Sequence, residues 1–162
     1  MSQTPSPTIV HTEVMEIRAT PEQVREFILT PERILDYYPS AVDGGTLEAG
    51  KAIYCRGEIG TSMLEIVEAE SSDELVVIKV STALGLEAPF TRARIEEHCT
   101  FTMIEDWALA ETDSGTRLTK TWRDVAADGP EPFPLAEAVR EGAIHESAQL
   151  VVGWNKAAAQ KT

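Results

Sequence analysis

The sequence predicts an α+β fold: a meander of six to seven antiparallel strands packed on one long C-terminal helix, with two short helices inserted after the first strand. Three observations predict it. The end of the chain carries an apolar stripe at helical spacing, its middle alternates with period two through β-branched runs, and its beginning holds two consecutive cap-and-proline signals.

Residues 1–7 form a polar, proline-bearing stretch and read as a flexible tail, leaving 8–162 as a single domain, long enough to bury a core without staples. From Thr8 to Ala19 the residues alternate, with His11, Glu13, Met15, Ile17 and Ala19 on one face, which marks a strand. Thr20-Pro21-Glu22-Gln23 then supplies an N-cap, a proline at the first helical position and a capping-box glutamine. Val24, Phe27 and Ile28 face inward from that helix. Thr30-Pro31 repeats the signal and predicts a second short helix with Ile34 and Leu35 inward. It stops at Tyr38-Pro39, because the residue before proline avoids helical angles.

Asp43-Gly44-Gly45 and Ala49-Gly50 read as punctuation before the meander. Strands are predicted over 51–56, 61–70 and 74–82, the last rich in Val and Ile. Residues 83–94, with Gly85, Pro89 and Phe90, break the pattern and exceed a minimal hairpin. They form either a plain surface excursion or a loop over a pocket mouth. Strand character resumes over 95–112, as one long bulged strand or as two divided near Glu105-Asp106. After the turn at Thr112-Asp113-Ser114-Gly115, a strand over 116–125 places Leu118, Lys120 and Trp122 on one face and only polar side chains on the other. Lys120 and Trp122 therefore point inward.

The final helix is predicted over 133–161. Val139, Ala143, Leu150, Trp154 and Ala157 share a stripe, with Glu137, Glu141, His145, Gln149 and Lys156 opposite. Small residues, Ala136, Ala143 and Ser147 with Gly142 and Gly153 at the edge, leave either a close helix-to-sheet approach or a void.

Taken in order, these textures resemble the START-like superfamily, also called SRPBCC or helix-grip proteins. IRATPEQVREFILTPERILDYYPS is similar to the opening of that family, LEAGKAIYC to its turn before the second strand, and WALAETDSGTRLTKTW to its late hairpin. The resemblance covers nearly the whole chain, from about Val10 to Ala159. It implies a curved sheet wrapped around the long helix and a cavity between them for an apolar ligand. Members include lipid and hormone binders, polyketide aromatase/cyclases, coenzyme Q-binding proteins and activators of a heat-shock chaperone, so the fold restricts function only loosely.

Candidate ligand-binding residues follow. Met15, Ile17, Trp107, Trp122 and Trp154 would line an apolar void with Val139, Ala143 and Leu150 of the helix stripe. Glu146 lies at the border of the stripe, where a carboxylate must be hydrated, paired or protonated, and Lys120 is its candidate partner unless both tips reach solvent. Tyr37 and Tyr38 would sit at the entrance and Phe90 in the loop above it. His98 points outward in a regular strand and inward if the strand is bulged.

Other chemistries find no support. A net charge of −13 argues against nucleic-acid or anionic-membrane partners. Three scattered histidines without HxH or HExxH spacing give no metal site, no phosphate loop or nucleophile elbow occurs, and no cofactor is implied. The two cysteines lack CxxC spacing and read as reduced thiols. With no leader-like or membrane-spanning run, a cytoplasmic monomer or homodimer is expected. The primary expectation is binding, carriage or sensing of an apolar, ring-containing molecule. A cyclase-like enzyme using Glu146, Lys120, Tyr38 and His98 in general acid/base roles is the alternative, and a chaperone-activator-like interaction module the third.

Overall fold

The computed structural model describes residues 7–37, 41–48, 50–57 and 60–160. Residues 1–6 of the expected 1–7 tail and the predicted stop at Tyr38-Pro39 lie outside them.

Seven strands form one antiparallel sheet: β1 (Ile9–Ile17), β2 (Ala41–Gly45), β3 (Ala52–Arg56), β4 (Gly60–Ile66), β5 (Leu75–Leu84), β6 (Phe101–Thr112) and β7 (Gly115–Ala127). The spatial order is β1-β7-β6-β5-β4-β3-β2. Strands β2 to β7 follow the chain as a meander, while β1 closes the far edge against β7. The first two strands thus sit at opposite edges, and α1 (Pro21–Leu29) and α2 (Pro31–Ile34) carry the chain between them.

The capping box of α1 forms as the sequence dictates: Gln23 N–H donates to Thr20 Oγ1 at 3.2 Å, and Thr20 N–H donates to Gln23 Oε1 at 3.0 Å. Thr30 behaves differently, its hydroxyl donating to the Glu26 carbonyl at 2.7 Å instead of capping α2. With α2 only four residues long, Leu35 falls in the following turn and is 48% exposed, so of the expected inward pair only Ile34 is buried.

Three expected boundaries shift. Residues 41–45 are a bulged edge strand and not merely a turn, so the seventh strand lies here. Residues 92–97 form a helix, α3 (Arg92–Glu97), capped by Thr91 Oγ1 on Arg94 N–H. Its six residues bury only Ile95, too little for a helical period to show in the sequence. The strand after it begins at Phe101 and runs unbroken to Thr112, because each of its central charges has a partner. Glu105 faces inward to Lys120, and Asp106 faces outward to Arg123, whose Nε lies 2.6 Å away. Of the two alternatives for this segment, one long strand or two, the structure has one, and the bulge lies on its partner: Thr102 pairs with Ala126 and Ile104 with Arg123, so β7 carries the extra residue, with Asp124 at φ 55°.

The inner face of the sheet buries Met15, Ile17, Ile53, Leu64, Val76, Ile78, Val80, Trp107 and Leu118 against Val24, Phe27 and Ile28 of α1 and Leu150 and Trp154 of α4 (Leu135–Ala159). The outer face holds a smaller core in which Ile95 of α3 covers Ala52, Met63 and Ala83, pinned by Arg92 Nη1 on both Glu65 oxygens at 3.0 and 3.2 Å. Asn155 ties α4 to β1, accepting from Arg18 N–H at 2.6 Å and donating to the Glu16 carbonyl at 3.2 Å.

Candidate functional site

The C-terminal half of α4 lies on a closed aromatic cluster. Trp107 and Trp154 stack at 5.9 Å between ring centroids, and Tyr37 meets both edge-on at 5.7 and 5.9 Å. Phe27 meets Trp154 edge-on at 5.6 Å, and Trp154 Nε1 donates to the Arg33 carbonyl. Met15, Ile17 and Leu150 belong to the same buried core. Ligand-binding candidates Met15, Ile17, Tyr37, Trp107, Leu150 and Trp154 are therefore packed against protein.

Toward its N-terminus the helix overlooks a cavity of about 150 Å3, lined by Thr82, Phe101, Met103, Trp122, Phe133, Leu135, Ala138, Val139, Gly142, Ala143 and Glu146. The cavity follows from the small residues of α4: a methyl group built on Gly142 would have no neighbour within 4 Å. Phe101, Phe133 and Val139 are only half-buried, so the space communicates with solvent. The β7 bulge lies opposite Met103, next to Phe101 on the cavity face of β6.

Between these two regions stands a buried ion pair. Lys120 is 1% exposed, with its Nζ 3.5 Å from Glu105 Oε2 and above the rings of Trp107, Trp122 and Tyr37 at 3.9, 4.4 and 5.0 Å. Trp107 Nε1 donates to the other Glu105 oxygen at 3.2 Å. Three rings and a hydrogen-bonded carboxylate compensate the desolvation of the ammonium. The pairing expected between Lys120 and Glu146 is thus replaced by Lys120 with Glu105. Among the described residues Glu146 has neither a hydrogen bond nor an ion pair. Burial pushes its carboxyl up to about 7, against a downward pull from Lys120 and with a further upward push from Glu105. A carboxyl poised there can give or take a proton near neutrality, or pair with an N–H brought by a ligand.

Of the sequence candidates, Trp122, Val139, Ala143 and Glu146 meet at the cavity. Tyr38 lies outside the described residues. His98 caps the C-terminus of α3 with its side chain 52% exposed, and neither it nor Phe90 lines the cavity. Both belong to the α3 segment, and α3 packs on the outer face of the sheet. Glu105, Phe101, Met103, Thr82 and Phe133 were not singled out by sequence. The first three share the strand face of Cys99, whose apolar alternation was the available signal.

No family model matches the chain, and no curated relative does. Solved structures do. An uncharacterized protein from Rhizobium leguminosarum is 13% identical, with a TM-score of 0.66 over 90% of this chain and 93% of its own. DynU16, a protein in the dynemicin biosynthetic locus, is 14% identical with a TM-score of 0.58, over 87% of this chain and 45% of its own. The Aha1 dimer from Colwellia psychrerythraea is 12% identical with a TM-score of 0.52, over 91% and 93%. What these proteins share with the chain is the fold: a curved antiparallel sheet and a long C-terminal helix. No helix among the described residues is long and apolar enough to cross a membrane.

Proposed function

We propose that this chain is a START-like, helix-grip protein that binds a small, apolar, ring-containing molecule between the sheet and α4, for carriage, sequestration or sensing. The observation that carries the reading is the cavity at Gly142, walled by Trp122, Phe101, Phe133 and Met103 and furnished, among the described residues, with one ionisable side chain, Glu146. Its volume of about 150 Å3 is below the roughly 300 Å3 at which pockets for drug-sized ligands begin. The ligand is therefore of single-ring size, and a sterol or a folded polyketide chain would require the helix to move.

A second reading is favoured by Glu146 alone. A carboxyl near 7 in an apolar cavity suits proton transfer between carbon and oxygen during enolisation, as a cyclase-like enzyme requires. The fold likeness to DynU16 is compatible with it. The interaction-module reading has only the fold likeness to Aha1 behind it.

Thermal unfolding in the presence of single-ring compounds tests the binding reading. Wild-type protein gains Tm with ligand concentration, and Gly142→Leu, whose side chain enters the cavity, does not. Absence of any stabilising compound, or equal stabilisation of both proteins, would overturn it.

A further inference from the structure

The proposed cavity has a chemical asymmetry that narrows its ligand. Its wall is aromatic and aliphatic except for Thr82 and Glu146. Thr82 is satisfied, its hydroxyl 2.8 Å from that of Ser62. Glu146 has no protein partner among the described residues, although Lys120, the one buried lysine among them, stands close enough to influence it. That lysine is committed to Glu105 and enclosed by rings.

The charge balance around Glu146 can be drawn up element by element. β6 contributes Glu105 and β7 contributes Lys120, which offset one another. β1, the strand that α4 crosses, contributes His11 and Glu13 on its inward face, and these are joined at 2.7 Å. β5 contributes the uncharged Thr82. On α4 itself the nearby charged or titratable side chains, Arg140, Glu141 and His145, are exposed. When ionised, Glu146 is thus one negative charge more than its surroundings compensate, in a chain whose net charge of −13 already concentrates cations.

Resting on the binding reading above, we infer that the ligand is a primary or secondary amine carried on one apolar ring, bound as the ammonium with its N–H groups on the Glu146 carboxylate and its ring against Trp122, Phe101 and Phe133. Such a bond is charge-assisted and stronger than its neutral counterpart. It also has a pH signature. An alkylammonium stays protonated to about pH 9 or beyond, so affinity holds above neutrality and falls as Glu146 takes up its proton. A neutral carbonyl or hydroxyl ligand accepting from protonated Glu146 would show the reverse.

Titration of the full chain with benzylamine, benzyl alcohol and benzoate, followed by calorimetry or by the Trp122 indole signal, tests this. At pH 8 benzylamine binds at least about tenfold tighter than benzyl alcohol, the ratio expected for one charge-assisted bond, and benzoate binds least. The advantage shrinks at pH 5.5 and disappears in Glu146→Gln, which still takes benzyl alcohol. Equal or tighter binding of the alcohol, or an amine advantage that survives in Glu146→Gln, overturns the amine inference and leaves the apolar cavity standing. If none of the three binds, the inference fails, and only the broader thermal screen then decides whether the binding reading fails with it.

Discussion

Along one helix, Gly153 and Gly142 occupy similar places on the edge of the apolar stripe and do opposite things. A methyl group on Gly153 would lie 2.9 Å from Asp36 Cβ, so this glycine lets α4 approach the α2 turn. A methyl group on Gly142 would touch nothing. Around the first, Trp154, Trp107, Tyr37 and Phe27 interlock; around the second, smaller residues leave space beside Trp122. The same residue type therefore marks a tight contact at one end of the helix and a void at the other. What separates them is the helix's own side chains: Trp154 fills the space at one end, whereas Ala138, Gly142 and Ala143 leave it open at the other. At the closed end α1 and α2 also contribute, through the Phe27 ring and the Arg33 carbonyl that meet Trp154.

That contrast can be broken at several points. The largest effect is expected in the closed half: Trp154→Ala should cost about 3–5 kcal/mol in denaturant unfolding, whereas Val139→Ala at the cavity should cost less than about 1 kcal/mol. Lys120→Met, at the boundary, leaves Glu105 buried without its cation and should cost about 3 kcal/mol or more. Adding Glu105→Gln should recover part of the loss, so that the double variant is more stable than Lys120→Met alone.

Glu146→Gln should act in the other direction. The folded carboxyl sits at about 7, above its unfolded value near 4.3. Its ionisation thus lowers stability progressively between about pH 4.3 and 7, and the whole penalty is present above that range. The variant should match wild type at pH 4 and exceed it at pH 8 by on the order of 1–3 kcal/mol. The smallest effects separate the glycines. Gly142→Ala should raise stability by about 0.5–1 kcal/mol through helix propensity alone, while Gly153→Ala should lower it because Asp36 must shift. Equal responses would mean that the two halves of α4 pack alike.

Much of this architecture could be read in the sequence because its signals are local. The capping box at Thr20, the hairpin at Asp113-Ser114 and the inward placement of Lys120 and Trp122 all depend on neighbours within a few residues. The helix stripe was equally legible, but its composition could announce only that close approach or a void would occur, not which end would have which. The Lys120 partner depends on the register of two neighbouring strands, which sets Trp107 opposite Lys120 and Glu105 opposite Trp122; the stripe border offered Glu146, while Glu105 stood at a possible division of its strand. The helix α3 was missed because its six residues bury one isoleucine, and its position on the outer face removes His98 and Phe90 from the cavity.

The short, bulged β2 has a consequence of another kind. An open seven-stranded sheet presents unpaired amides and carbonyls at its borders, a template on which another chain could add a strand. Here the last strand is five residues long, shifts register between Val42 and Gly44, and ends in two glycines at positive φ. At Gly45 any side chain would run into the Ala52 carbonyl. Arg56 clamps Asp43 through Nε at 2.8 and 3.0 Å and sets a charged pair on that border. The sheet thus ends in a strand poorly suited to templating, which protects an acidic protein from edge-to-edge aggregation along that side.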